Sequence, residues 1–364
     1  MPDIAEHKVA ILGAVGVPAG YGGFETLAEN LVSYHAEVDT PLELTVYCSS
    51  KGITAKPARY RQAVLRYVAL DANGLQSIPY DMIGLLDAVR RGHNRVLLLG
   101  VSGAILLPLL KLFTRARIIT NVDGIEWKRE KWRGLAKHYL WFAERVAVKA
   151  SDEVVADNQA IAEYLKDAYG CDARVIPYGG DHAVETEADA AAASHLPQCY
   201  ALGLCRIEPE NNIAMILDAF DRLQMPLVFV GNWDRSSYGR ELKAKYADHP
   251  MISIEDPVYD PAALRAIRDR AAIYIHGHSA GGTNPALVEM MHFGVPIAAY
   301  DCSFNRYTTE GRALYFSTAE ELCTLILPLS DEVGRSVGEA MREIALRRYT
   351  WRKIGQAYFE LLQA

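Results

Sequence analysis

Short apolar runs alternate with amphipathic stretches along nearly the whole chain. Val9-Ala-Ile-Leu-Gly13 is the first run, followed by a Gly-rich loop and a helical pattern from about Phe24 to His35. Leu42–Cys48, Leu65–Val68, Val96–Leu99, Arg117–Thr120, Glu153–Ala156 and Arg174–Ile176 predict further strands. Helical patterns at Ile78–Arg90, Gly103–Phe113, Lys131–Lys149 and Gln159–Ala168 fall between them. Brief apolar strands separated by helices predict a parallel, doubly wound α/β sheet, because such strands are covered on both faces.

The pattern then lapses. Residues 183–197 (AVETEADAAAASHLP) are small, acidic and without core spacing, which predicts a linker or surface insert. A second series follows, with strands at Tyr200–Leu204, Leu227–Val230, Ile252–Ile254, Ala272–His276, Ile297–Tyr300 and Leu314–Phe316. The expected organisation is therefore a Rossmann-like domain over 1–180, a linker over 181–197 and a second Rossmann-like domain over 198–350. In open sheets of this kind ligands bind beyond the carboxyl ends of the strands, and both sets of ends are expected to face a central cleft. The last segment, about Trp351 to Leu362, is amphipathic, with Trp351, Ile354, Tyr358 and Leu361 near one face.

The 364 residues suit two domains, and a composition half apolar and about a quarter charged is that of a globular enzyme. A net charge of −7, without a zinc-finger or RNA-binding signature, argues against nucleic acid as a partner. The six cysteines are scattered and no His cluster has metal-ligand spacing, so the expectation is reduced thiols in the cytoplasm. The N-terminus enters a strand within its first eight residues, so no signal peptide is expected. The apolar run Ala104–Phe113 is interrupted by Lys111 and falls short of the roughly 20 residues that span a bilayer.

Four segments carry candidate chemistry. The first is the Gly-rich stretch Gly13–Glu25 after the opening strand. It is too long for a dinucleotide-binding turn, and the second strand ends without an acidic residue for a ribose. A loop that closes over a diphosphate fits better, with Gly22 and Gly23 allowing close backbone approach.

The second segment is Leu204-Cys-Arg206-Ile-Glu-Pro209-Glu210-Asn211-Asn212. It places a guanidinium at a strand end, where it can grip a diphosphate or form an ion pair with Glu208 or Glu210. The third is His276 to Glu289, a strand, a glycine turn and a helix starting near Pro285. The unpaired amides and dipole of such a helix start attract an anion.

The fourth is Thr120 to Arg133. It puts Asn121 and Asp123 at a strand end and interleaves Trp127 and Trp132 with Lys128, Arg129 and Arg133. With Arg115, Arg117 and Lys137 beside the apolar Ala104–Phe113 helix, this surface suits anionic lipid headgroups. No GxSxG elbow, P-loop or paired-carboxylate signature stands out.

In these four places the residues are similar to one family. GxxGxPAxYGGFET (Gly13–Thr26), NVDGxEWKRxKW (Asn121–Trp132), CRIxPENN (Cys205–Asn212) and HGHSxGGTNPxLxE (His276–Glu289) resemble the retaining GT-B glycosyltransferases of family 4. The likeness is greatest to the bacterial rhamnosyltransferase branch whose N-terminal domain is DUF1972. The resemblance implies a nucleotide-sugar donor in the C-terminal domain, an acceptor in the N-terminal domain, no required metal and a last helix (351–364) crossing back to the first domain. It assigns Arg206 to the donor diphosphate and Glu289 to the ribose. Backbone amides around Thr283, Asn284, Pro285, Ala286 and Leu287, with the Gly281-Gly282 turn, meet phosphate and sugar. Asp123 or His278 would position sugar or acceptor.

Two departures stand against the general family pattern. Asn211 occupies the place of a lysine, and Gly281 that of a carboxylate which touches sugar hydroxyls. Together they imply a 6-deoxy donor sugar, with dTDP-β-L-rhamnose fitting best. The acceptor would be a lipid-diphosphate-linked saccharide, met at the inner face of the plasma membrane. Another UDP- or GDP-linked donor, an epimerase, or a non-catalytic nucleotide-sugar-binding subunit are the alternatives.

Overall fold

The computed structural model describes residues 7–20, 22–38, 40–51, 55–128 and 134–364. It divides into two compact units. The first comprises residues up to Pro177 together with Trp351–Ala364, and the second comprises Tyr178–Thr350.

The first unit contains β1 (His7–Leu12), α1 (Gly23–Glu37), β2 (Leu42–Ser49), β3 (Arg59–Tyr60), β4 (Ala63–Val68), α2 (Ser77–Arg90) and β5 (Arg95–Leu99). It continues with α3 (Leu107–Phe113), β6 (Arg117–Asn121), α4 (Gly134–Ala150), β7 (Glu153–Ala156), α5 (Gln159–Tyr169) and β8 (Arg174–Val175). Its eight strands lie in the order β3-β4-β2-β1-β5-β6-β7-β8, parallel except for the β3–β4 edge. Val9–Leu12 of β1 and Val96–Leu99 of β5 are buried, as central strands covered on both faces must be. Helix α1 turns Leu27, Ala28, Leu31, Val32 and His35 inward, the three-and-four spacing that predicts it from sequence.

The second unit contains α6 (His182–Glu185), β9 (Tyr200–Leu204), α7 (Ile213–Leu223), β10 (Leu227–Val230), α8 (Ser237–Tyr246), β11 (Ile252–Glu255) and α9 (Pro261–Asp269). Then come β12 (Ala271–His276), α10 (Pro285–His292), β13 (Ile297–Tyr300), α11 (Ser303–Thr308), β14 (Leu314–Phe316), α12 (Ala319–Ile326) and α13 (Asp331–Arg348). Its six strands, in the order β11-β10-β9-β12-β13-β14, are all parallel. One side of this sheet packs Phe229, Ile273 and Ile275 against Ile216, Leu217 and Phe220 of α7.

The final helix, α14 (Trp351–Gln363), belongs to the first unit. Phe359 meets Tyr34 edge-on at 5.1 Å, and the Tyr358 hydroxyl accepts a hydrogen bond from Asn121 Nδ2 at 2.7 Å.

Residues 181–197 are not the expected linker; they fold into the second unit. Asp189 N donates to Ala262 O at 3.0 Å, Arg265 Nη1 donates to Val184 O at 2.6 Å, and the Arg270 guanidinium donates to Ala193 O. Ala193 and Leu196 are buried. The alanines are small because the segment lies close along α9 and holds through its backbone, which leaves no periodic apolar signal.

Candidate functional site

Each sheet has one point at which the chain changes direction of travel across it. In the first it lies between β1 and β5, and in the second between β9 and β12. Crevices beyond the carboxyl ends of such strand pairs are where open α/β sheets hold ligands. The loops after β9 and β12 are the second and third motifs of the sequence, and the fold makes them neighbours.

Hydrogen bonds lock these two loops together. Asn211 Nδ2 donates to Arg206 O at 2.6 Å, and the Asn211 Oδ1 lies 2.6 Å from His278 Nδ1. Asn212 Nδ2 donates to Gly277 O at 2.8 Å. Ser279 donates from both N and Oγ to Glu210 O, at 3.0 and 2.8 Å. Asn305 Nδ2 donates to His278 O at 2.9 Å. Since Asn211 Oδ1 accepts, His278 carries a proton on Nδ1.

Asn211, which the resemblance puts in the donor site at the place of a lysine, is turned inward. Both ends of its amide are engaged within the protein and the residue is buried, so its side chain shapes the loop and does not reach out to a diphosphate. Arg206 is the residue left to do so. Its carbonyl is held inward by Asn211, while its side chain is 41% exposed with Glu208 no nearer than 4.0 Å. An exposed contact of that length contributes little and leaves the guanidinium available.

Helix α10 opens beside this junction. Asn284 caps it, its Oδ1 accepting from Ala286 N at 3.0 Å while its carbonyl accepts from Leu287 N and Val288 N at 3.1 and 3.2 Å. Pro285 has no amide hydrogen to give, so the expected anion contacts at Pro285, Ala286 and Leu287 are not available. Among the described residues, the amides of Gly281, Gly282 and Asn284 have no acceptor. Thr283 is buried within the same turn. Gly281 has φ +127°, and a Cβ there would lie 2.9 Å from His278 Nε2, so only glycine brings this turn against the imidazole.

Glu289 lies one turn into α10. Its carboxylate is paired with the Arg268 guanidinium of α9, and its other oxygen is 3.4 Å from His182 Nε2. Burial pushes its pKa up, but Arg268 and His182 outweigh this and hold it below the usual carboxylate value. The expected ribose ligand is thus an ionised group held between a buried guanidinium and the His182 imidazole. A carboxylate offers about four acceptor positions, so hydroxyls can still be received. Neither Arg268 nor His182 was legible as a site residue: Arg268 stands in the charged run Arg265–Arg270, and only its burial sets it apart.

His276, the last residue of β12, was also missed. It is buried, its Nδ1 lies 3.2 Å from the Tyr274 hydroxyl, and its Nε2 has no partner. Burial drops its pKa to about 3, so it is neutral at every physiological pH. Its ring lies 6.0 Å from that of His278.

In the first unit, Gly22 (φ +143°) precedes α1, and a Cβ there would fall 2.0 Å from the Glu25 carboxylate. That carboxylate reaches back to accept from Val15 N at 3.0 Å, pinning the Gly-rich loop after β1, while Gly23 is the first residue of the helix. Asp123 follows β6 in the left-handed region (φ 61°), its amide donating to Asn121 Oδ1 at 2.9 Å.

Trp127 does not face outward as a lipid anchor. Its Nε1 donates to buried Glu144 at 3.2 Å, alongside the hydroxyls of Tyr164 and Tyr169, each at 2.7 Å. The Lys128 ammonium covers the Tyr164 ring at 4.8 Å. A buried carboxylate requires donors, and these aromatics supply them. Arg129, Trp132 and Arg133 lie outside the described residues. Among the described residues no group of three His, Cys, Asp or Glu side chains is placed to hold a metal ion.

Comparison with known proteins places the fold in a class. Residues 6–181 match a domain of unknown function (DUF1972). No curated protein sequence matches the chain. The structure is similar to sucrose-phosphate synthase from Thermosynechococcus elongatus, with TM-score 0.79, 16% identity and 98% of both chains covered. It is also similar to Anabaena Alr3699/HepE in complex with UDP, with TM-score 0.70, 14% identity, and 98% of this chain and 99% of that one covered. A third likeness is to the catalytic domain of starch synthase IV from Arabidopsis thaliana bound to ADP and acarbose, with TM-score 0.73, 13% identity and 98% of both chains covered. The fold is that of the GT-B glycosyltransferases, two Rossmann-like units in one chain.

Proposed function

We propose that the chain is a retaining glycosyltransferase that moves L-rhamnose from dTDP-β-L-rhamnose to a hydroxyl of a lipid-diphosphate-linked saccharide. The observation that carries the reading is the hydrogen-bonded junction of the Arg206 and Gly281 loops at the switch point of the second sheet. It presents a cation and free amides side by side, which is what a nucleotide diphosphate requires.

The donor diphosphate lies between Arg206 and the amides of Gly281, Gly282 and Asn284, and Glu289 receives ribose hydroxyls. As the anomeric C–O bond breaks, the electron pair leaves with the diphosphate, and Arg206 and these amides stabilise the charge. The acceptor oxygen bonds the anomeric carbon on the same face, and its proton passes to the departing phosphate oxygen. His278 lines the sugar end. No step calls on a metal.

Two observations favour a deoxy sugar. Gly281 offers no side chain to a sugar hydroxyl, and Asn211 adds no charge. The structural neighbours bind UDP and ADP, so the nucleotide is the part of the reading most open to direct test. The enzyme would work in the cytoplasm, against the inner face of the plasma membrane, where lipid-linked acceptors are presented.

The decisive experiment is a thermal-shift series with dTDP, UDP, GDP and ADP, followed by transfer from dTDP-rhamnose to a synthetic prenyl-diphosphate sugar. The expected result is the largest shift with dTDP, since a ligand bound only by the folded chain adds RT ln(1 + [L]/Kd) to stability. Transfer from a UDP- or GDP-sugar alone would overturn the donor, and a shift without any transfer would overturn the enzyme.

A further inference from the structure

Helix α4 and its neighbour α3 carry a face that neither the donor site nor the fold uses. On α4, Leu135, Phe142, Arg145 and Lys149 recur at helical spacing along the solvent side, with Trp141 beside them. Leu135 is 90% exposed, and Leu112 and Phe113 at the end of α3 are 77% and 78% exposed. Soluble surfaces seldom keep aromatic and aliphatic side chains this bare in one place. A groove of about 490 Å³ runs between the two helices, lined by Pro108, Lys111, Phe142, Arg145, Val146 and Lys149.

The charge of this face opposes that of the chain. The protein carries a net −7, yet no carboxylate lines the groove. Lys111 is paired with Asp152 at 2.6 Å. Among the described residues, Arg145 and Lys149 have no acidic partner. Large apolar groups interleaved with unpaired cations on one helical face are the pattern of a surface that beds into lipid headgroups, the apolar tips entering the acyl boundary. A second copy of the chain is a poor occupant, because a symmetric pairing would set these cations against themselves. No helix among the described residues is long and apolar enough to cross a membrane, so the contact is interfacial.

We propose that the α3–α4 face docks the protein on an anionic phospholipid bilayer, its groove taking a headgroup phosphate between Arg145 and Lys149. This rests on the proposed function only in supplying the membrane where a lipid-linked acceptor would be met. It also moves the expected lipid surface away from Trp127 and onto the next helix.

The test is sedimentation of the full chain with vesicles of phosphatidylcholine plus phosphatidylglycerol, against vesicles of phosphatidylcholine alone. Binding to the anionic vesicles only, falling with added salt, is expected. Arg145→Glu with Lys149→Glu should weaken it about tenfold or more, and Leu112→Ser with Phe113→Ser should weaken it at any salt. Both variants should keep the wild-type unfolding temperature and nucleotide-induced shift. Equal binding to neutral vesicles, indifference to both variants, or a wild-type dimer that the charge variant splits would each overturn the docking face. Failure of the wild-type chain to bind anionic vesicles, with its nucleotide shift intact, counts against this face alone. Absence of a nucleotide shift with vesicle binding intact counts against the glycosyltransferase reading alone.

Discussion

The two units are built alike and are held at their switch points in different ways. In the second, the loops after β9 and β12 are tied to each other by a network through Asn211, Asn212, His278 and Ser279, leaving the Arg206 side chain exposed and the amides of Gly281, Gly282 and Asn284 without an acceptor among the described residues. In the first, the loop after β1 is held by the Glu25 carboxylate and by the Tyr80 hydroxyl, which donates to Ala14 O at 2.8 Å. One architecture thus yields a preorganised electrostatic site in one place and a glycine-rich strap in the other. Fixed dipoles stabilise developing charge best when nothing has to reorganise at the moment of reaction, so the proposed function puts its charge stabilisation on the second unit.

The largest effect should follow from removing Arg206, whose side chain is exposed at that site. Arg206→Ala should lower kcat by about 10²-fold or more, roughly 3 kcal/mol of transition-state stabilisation, with a smaller change in donor KM. Steady-state kinetics with a nucleotide-sugar donor reads this directly. An unchanged kcat would move the charge stabilisation elsewhere and erase the contrast between the units.

Most of the fold was legible because period and burial agree in parallel sheets. The strands expected at Tyr200–Leu204, Leu227–Val230 and Ile297–Tyr300 have the observed bounds, since continuous apolar runs flanked by turn residues leave little choice. The segment after Gly180 was misread because its contacts are made by backbone carbonyls and small residues, which leave no hydrophobic rhythm. In the site, the strand ends before Arg206 and at His276 and the helix start near Pro285 were readable from sequence. The roles of Arg268, His182 and His276 were not, since pairing and burial across α6, α9 and α10 are tertiary facts. Trp127 misled for the converse reason: aromatic and basic residues in sequence describe a membrane surface and a shell around a buried carboxylate equally well.

Each unit also buries an ionisable group whose pKa burial moves far from its ordinary value. In the first, Asp81 of α2 is 2% exposed with Oδ1 unpartnered, and burial raises its pKa to about 8 against the pull of a hydrogen bond from the Gly103 amide. The native unit therefore holds a proton that the unfolded chain releases above its ordinary pKa of 3.8. Stability falls as pH rises from about 4 toward 8, at about 1.4 kcal/mol per pH unit for this group alone. Asp81→Asn should remove that slope and raise the unfolding temperature at pH 8 by more than at pH 5. An equal change at both values would show that Asp81 is ionised in the fold.

The second unit should answer acid instead, and more narrowly. Buried His276 has a pKa of about 3 against an ordinary 6.5, and burial lowers that of His292 as well. Between those limits the unfolded chain binds a proton at position 276 that the native unit refuses, so this contribution is complete above pH 6.5 and drains away as pH falls. His276→Leu removes the imidazole but leaves the Tyr274 hydroxyl donating to Leu204 O at 3.1 Å. The variant loses packing at every pH, so the measurement is the slope of stability against pH and not its absolute value. Hydrogen exchange at β12, followed from pH 6.5 to 4.5, should show a decline shallower than wild type by about 1.4 kcal/mol per pH unit. The remainder stays with His292 and with Glu289, whose depressed pKa also makes acid destabilising. An unaltered slope would mean that the imidazole is charged in the fold, and the acid response of the unit would then rest on the Glu289–Arg268 pair.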